Sequence, residues 1–155
     1  MLFDLQSEAV TKKIFKKFDT IIVGAGAAGI TTAITLEKSG KSVALIEGGG
    51  LEYSEESQNI YKGNVNGDPY FDLDVTRLRY LGGSTNHWGG WCRPFEKIDF
   101  QRNYLGEQYE WPIKFEEVDQ YKNEACSILE IEASFELKSG VDPNIKPIKF
   151  QFSPP

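Results

Sequence analysis

The sequence predicts an α/β fold whose N-terminal part is a βαβ unit, and three observations predict it. A β-branched apolar run, Asp19-Thr20-Ile21-Ile22-Val23, leads straight into Gly24-Ala25-Gly26-Ala27-Ala28-Gly29. That turn opens a stretch in which Ile30, Ala33, Ile34 and Leu36 keep an apolar face at helical spacing until Ser39-Gly40. A second apolar run, Ser42-Val43-Ala44-Leu45-Ile46, ends at Glu47 and is followed by Gly48-Gly49-Gly50. Strand, helix and strand in this order form one compact unit.

Both strands are apolar at consecutive positions, which predicts parallel strands buried on both faces. Residues 51 to 76 are polar, carry turn signals at Asn66-Gly67-Asp68-Pro69, and are read as a surface excursion without regular sheet. A glycine- and tryptophan-rich stretch follows from Arg77 to Arg93. After Trp111-Pro112-Ile113, the spacing of Phe115, Val118, Tyr121, Ala125, Ile128 and Leu129 predicts one amphipathic helix. Its Glu116, Glu117 and Asp119 lie at the positive end of the helix dipole. Ile148, Phe150 and Phe152 alternate with Lys149 and Gln151, which predicts a strand. Lys12, Lys13, Lys16 and Lys17, interleaved with Val10, Ile14 and Phe18, predict an amphipathic leader with one packed face.

Composition narrows the function. The chain has 155 residues, 40% of them hydrophobic and 13% aromatic, enough for the core of an ordinary domain. Its net charge of -6 offers no cationic face to a phosphate backbone, so nucleic acid is not an expected partner. No run of about 20 apolar residues predicts a membrane span. Asp4 and Glu8 interrupt any secretory leader. Cys92 and Cys126 lack the spacing of a zinc or redox pair, so no metal site is expected and a cytoplasmic location is the default. Cys92 is read as an inert small side chain.

The Gly24-x-Gly26-x-x-Gly29 turn lies between a strand and a helix, with an acid 18 residues past its last glycine. That context makes it a Rossmann-like dinucleotide turn. Gly24 permits the tight turn, Gly26 lets the backbone approach a pyrophosphate, and Gly29 lets helix and strand pack. The amides at Ala27 and Ala28 face the anion. Glu47 is placed to accept hydrogen bonds from the two hydroxyls of an adenosine ribose, and it disfavours a 2′-phosphate. The βαβ unit alone leaves FAD and NAD both open.

A second motif, Arg79-Tyr80-Leu81-Gly82-Gly83-Ser84-Thr85-Asn86-His87-Trp88, follows the dinucleotide turn in the chain. Together the two resemble the glucose–methanol–choline (GMC) oxidoreductases, from Phe18 to Pro155. The resemblance implies FAD as cofactor and oxidation of a CH–OH group of a sugar, polyol or other alcohol, with hydride passing to flavin N5. It also implies that Arg79, Gly82, Gly83, Ser84, Asn86 and His87 lie along the flavin side. The His87-Trp88 pair resembles the pyranose oxidase branch, in which the histidine carries the flavin covalently; a bond and a simple contact both stay open here. Trp88, Trp91 and Trp111 offer flat faces to a flavin or sugar, core packing being the plainer reading of each. Arg77 is a weaker candidate than Arg79 for the pyrophosphate.

The resemblance also implies three parts: a leader at 1–18, an FAD-binding part at 19–100, and the start of a substrate or cap domain at 101–155. In the family a histidine-based pair from the C-terminal part removes the hydroxyl proton. This chain has one histidine, so its catalytic residues are not assigned; a truncated frame, a fragment, and one piece of a split gene whose partner is a separately encoded C-terminal part all stay open. Two strands also leave an apolar sheet face uncovered, the mark of an incomplete doubly wound domain. Three readings follow: an FAD enzyme, an FAD-binding fragment or subunit inactive alone, and an NAD dehydrogenase that leaves the second motif unexplained.

Overall fold

A computed structural model of the chain describes residues 2–5, 16–101, 111–136 and 148–154. It divides into two compact units, Met1–Trp88 and Gly89–Pro155. The helical leader expected around Val10, Lys12, Lys13 and Ile14 lies outside the described residues.

In the first unit, β1 (Thr20–Val23) and β2 (Val43–Ile46) pair in parallel with Thr20 opposite Val43 and Val23 opposite Ile46. Helix α1 (Ala27–Lys38) connects them and packs against both. The pair is closed at its start by Asp19, whose Oδ2 accepts the Ser42 amide at 2.8 Å and the Ser42 hydroxyl at 2.7 Å. At its far end the Gly24 amide donates to the Ile46 carbonyl at 2.7 Å. The helix ends where the Gly40 and Lys41 amides return to the carbonyls of Glu37 and Leu36, which satisfies two of its C-terminal acceptors.

Burial on both faces is not observed. Ile21 is 61% and Val23 82% exposed, because among the described residues the sheet has two strands and α1 covers one face. Ile22 lies on the covered face, where its Cγ2 borders Gly29. Ala25 is the one buried apolar residue of this unit among those described.

The excursion after β2 holds no strand, as expected, but it does hold a short helix, α2 (Glu55–Gln58), continued by a 3-10 turn at Asn59–Tyr61. Ser54 caps it by accepting the Ser57 amide at 3.2 Å, and Glu55 and Glu56 occupy its first turn. Its last two residues, Ser57 and Gln58, are buried.

In the second unit, β3 (Trp91–Cys92) and β4 (Gln151–Phe152) pair antiparallel. The strand expected over Ile148 to Phe152 is thus confined to its last two residues. Helix α3 (Lys97–Phe100) is followed among the described residues by α4 (Phe115–Asp119) and α5 (Lys122–Ile128). The single helix expected from Phe115 to Leu129 is broken at Tyr121. Its backbone leaves the helical region at φ −93°, ψ 1°, and its amide takes the tighter bond to Val118 O at 3.0 Å. The tryptophans do not act as interior fillers: Trp88, Trp91 and Trp111 are 45%, 61% and 46% exposed. Trp91 packs edge-on against Phe150 and Phe152, and Trp111 tilts against Phe95 and Phe100. Cys92 is buried and its thiol lies 3.3 Å from Gly90 O, in keeping with an inert side chain.

Candidate functional site

The site lies in the first unit, where the two glycine motifs meet. Gly24 turns the chain out of β1 with φ +101°, a conformation costly for any residue with a Cβ. Gly29 is required by packing, since a Cβ there would overlap the Gly24 carbonyl. Gly26 is different. It caps α1 in ordinary extended backbone (φ −83°, ψ −176°), and a Cβ added to it would meet only Gly82 O, at 4.0 Å. Neither conformation nor packing demands a glycine at 26, the position that in a dinucleotide turn lets the backbone come close to a pyrophosphate.

That terminus suits an anion. Gly26 supplies no side-chain cap, the first turn carries no acid, and the Ala27 and Ala28 positions are exposed. The first bond back into the helix is Ile30 N to Gly26 O at 3.0 Å, so the amides of Ala27, Ala28 and Gly29 precede the intrahelical ladder.

Glu47, the first residue past β2, spends its carboxylate on the same turn. Oε2 accepts the Ala25 amide at 2.7 Å and Oε1 accepts the Gly49 amide at 2.9 Å. A carboxylate has about four acceptor positions, so each oxygen keeps capacity for a further donor.

The second motif docks on the first. Gly82 N donates to Ala25 O at 2.8 Å, Gly26 and Gly82 form a parallel bridge, and Leu81 N donates to Gly50 O at 3.0 Å. Gly82 (φ +91°) and Gly83 (φ +57°) make the turn, and a Cβ on Gly83 would press within 3.3 Å of Gly26 Cα. A Cβ on Gly49 would overlap the Arg79 carbonyl, which explains the middle glycine of the triplet after β2.

Several motif residues are engaged inside the loop. Asn86 Nδ2 donates to Leu81 O at 2.8 Å and Gly83 O at 3.0 Å, and Ser84 Oγ accepts the Leu78 amide at 3.3 Å. Thr85 Oγ1 donates to Gly82 O at 2.6 Å. Arg79 Nη1 donates to Ser57 Oγ at 2.8 Å, while Arg77 lies over the Tyr61 ring at 5.1 Å. His87 is exposed at the end of the 3-10 turn Gly83–His87.

Sequence reasoning missed Ser57, Gln58 and the role of Gly48-Gly49-Gly50. The signal for the helix that bears the first two was present as Ser54-Glu55-Glu56, a cap followed by acids. Nothing in the sequence says which backbone a buried glutamine will bind.

A family model described as an FAD binding domain matches residues 19–57, the segment from β1 through α1 and β2 to Ser57. No curated protein and no solved structure matches the chain. The cofactor is FAD, and the matched segment is of the kind found in flavin-dependent oxidoreductases. The residues present fit such a cofactor: the helix-terminal amides lie outside the intrahelical ladder, the Ala27 and Ala28 positions are exposed, and a carboxylate follows β2. Among the described residues no helix is long and apolar enough to cross a membrane.

Proposed function

We propose that this chain is the FAD-binding part of a GMC-type oxidoreductase acting on a CH–OH group of a sugar, polyol or other alcohol. The observation that carries the reading is the docking of Gly82 and Gly83 on Ala25 and Gly26, which puts the second motif beside the dinucleotide turn. When bound, the flavin supplies a hydride acceptor at N5.

The chain's own residues bind and orient. Amides at Ala27, Ala28 and Gly29 hold the pyrophosphate against the helix dipole. Glu47, already fixed by the Ala25 and Gly49 amides, accepts from the ribose hydroxyls with its remaining lone pairs. Arg79, Gly82, Gly83, Ser84, Asn86 and His87 form the wall along the flavin side. Much of that wall acts by shape, since Ser84 and Asn86 spend hydrogen bonds on the loop itself.

The residue that takes the hydroxyl proton is not assigned to this chain, whose one histidine belongs to the flavin wall. The second reading, an FAD-binding subunit completed by a separate C-terminal polypeptide and inactive without it, draws on the exposed Ile21 and Val23. A sheet face bearing them needs a cover.

The test is to purify the full chain, record its visible spectrum, and precipitate it in acid. A flavin spectrum with release of FAD into the acid supernatant is expected for a contact at His87. Retention in the pellet, lost in His87→Ala, would show a histidyl bond instead, and a chain that takes up NAD but no flavin would overturn the reading. Turnover of a sugar or polyol panel with a dye acceptor by the chain alone would rule out the subunit reading.

A further inference from the structure

Ser57 and Gln58 are buried polar side chains, 7% and 3% exposed, outside both glycine motifs. Gln58 Nε2 donates to the carbonyls of Asp74 at 2.5 Å and Arg77 at 2.6 Å, and Gln58 Oε1 accepts the Arg79 amide at 3.0 Å. Ser57 Oγ donates to Arg79 O at 3.0 Å and accepts from Arg79 Nη1 at 2.8 Å. Arg79 is therefore gripped at its amide, its carbonyl and its guanidinium by two consecutive residues.

The grip sits upstream of the docking contact. From Arg79 the chain runs through Tyr80 to Leu81, whose amide meets Gly50 O, and to Gly82, whose amide meets Ala25 O. Both amide hydrogens of Gln58 are spent on backbone between Asp74 and Arg77. If that segment lifted away, a buried amide would lose its partners, and a buried polar group left without them is unfavourable. The alternative to the docked segment is thus penalised from beneath it.

We propose that Gln58 and Ser57 are positioning residues for the cofactor, which fix the second glycine motif against the dinucleotide turn and so govern the flavin half of FAD and not the adenosine half. The inference rests on the reading that this motif lies along the flavin.

ADP carries the adenosine and diphosphate assigned to the Gly24–Gly29 turn and Glu47, and on the proposed reading only FAD also carries the flavin that the Gly82–His87 stretch borders. The experiment measures FAD and ADP affinities of the full chain by isothermal titration, with visible circular dichroism of the bound flavin. It compares wild type, Gln58→Glu, Ser57→Ala and Gly82→Ala. Gln58→Glu keeps the acceptor for Arg79 N and removes both donations. With two donations lost and the Asp74 and Arg77 carbonyls left without them, it should weaken FAD by about tenfold or more, leave ADP nearly unchanged, and alter the flavin dichroism. Ser57→Ala should act in the same direction and carries the test alone if Gln58→Glu does not fold. Equal weakening of FAD and ADP would make the pair general supports of the fold and overturn the proposal. A selective effect in Gly82→Ala without one in the Ser57 and Gln58 variants would also overturn it while leaving the flavin wall standing. If Gly82→Ala itself leaves the FAD-to-ADP ratio unchanged, the placement of the motif along the flavin fails.

Discussion

The Ala25 amide donates to Glu47 Oε2 at 2.7 Å, so the acid at the end of β2 holds the glycine turn that follows β1. Its other oxygen holds Gly49, whose own neighbour across the gap is Arg79. One side chain thereby ties together the turn and the platform on which the second motif rests. Glu47→Gln replaces one accepting oxygen with a donor that faces an N–H. It should lower the unfolding free energy by about 1.5–3 kcal/mol, the range for a hydrogen bond to a charged group. Urea unfolding checks this: an unchanged midpoint would mean the carboxylate is not structural.

Gly29→Ala should be among the most damaging single-methyl changes in the first unit. The added carbon overlaps backbone, the Gly24 carbonyl, which cannot rotate away as a side-chain tip could. A loss of about 1–3 kcal/mol is expected from overpacking of this kind, read as a fall in thermal midpoint. A variant as stable as wild type would show that α1 does not sit this close to β1.

Acid sensitivity should be traceable in part to Asp19. Donation by the Ser42 hydroxyl, then by the Ser42 amide, lowers its carboxyl below the ordinary value, against a smaller desolvation effect. A folded-state value below the unfolded one stabilises the fold above the unfolded value, and the contribution is lost as pH falls through the folded one. Asp19→Asn should therefore cost stability at neutral pH, with the gap to wild type closing below about pH 4. Urea midpoints at a series of pH values check this, and a gap independent of pH would contradict it.

Glu130→Gly should stabilise the second unit. Glu130 follows α5 with φ +54°, and the Glu130 and Ile131 amides return to Ser127 and Cys126 carbonyls. The same position after α1 is filled by Gly40 at φ +83°. Removing the Cβ relieves about 1 kcal/mol of left-handed strain, which calorimetry would show as a higher midpoint for this unit; a lower one would mean the side chain itself matters.

The βαβ unit was legible because each of its parts carries a local signal: consecutive β-branched residues at Ile21 to Val23, glycines at 24, 26 and 29, and Gly40 past the helix. The meeting of the two motifs was legible only through family resemblance, since nothing local tells Gly82 to seek Ala25. β1 is less buried than its sequence predicts because a consecutive apolar run reports what a strand is suited to, and Ile21 and Val23 lack a cover among the described residues. The long helix failed at Tyr121, where periodic apolar residues continue across a backbone break that periodicity does not register. Gln58 was illegible for a third reason: its work is done on carbonyls and amides, which every sequence has.

The most direct measurement is FAD binding to the full chain and to Gly26→Ala, followed by quenching of flavin fluorescence, with thermal unfolding of both proteins in parallel. Gly26 is conformationally ordinary and its added methyl would meet only Gly82 O, at 4.0 Å, so the variant should fold like wild type. Its methyl would stand in the approach to the Ala27 and Ala28 amides, so saturable binding by wild type and a loss of about tenfold or more in the variant, some 1.4 kcal/mol, are expected. Equal FAD affinity in two equally stable proteins would contradict the account, because the pyrophosphate would then not lie at the first glycine turn.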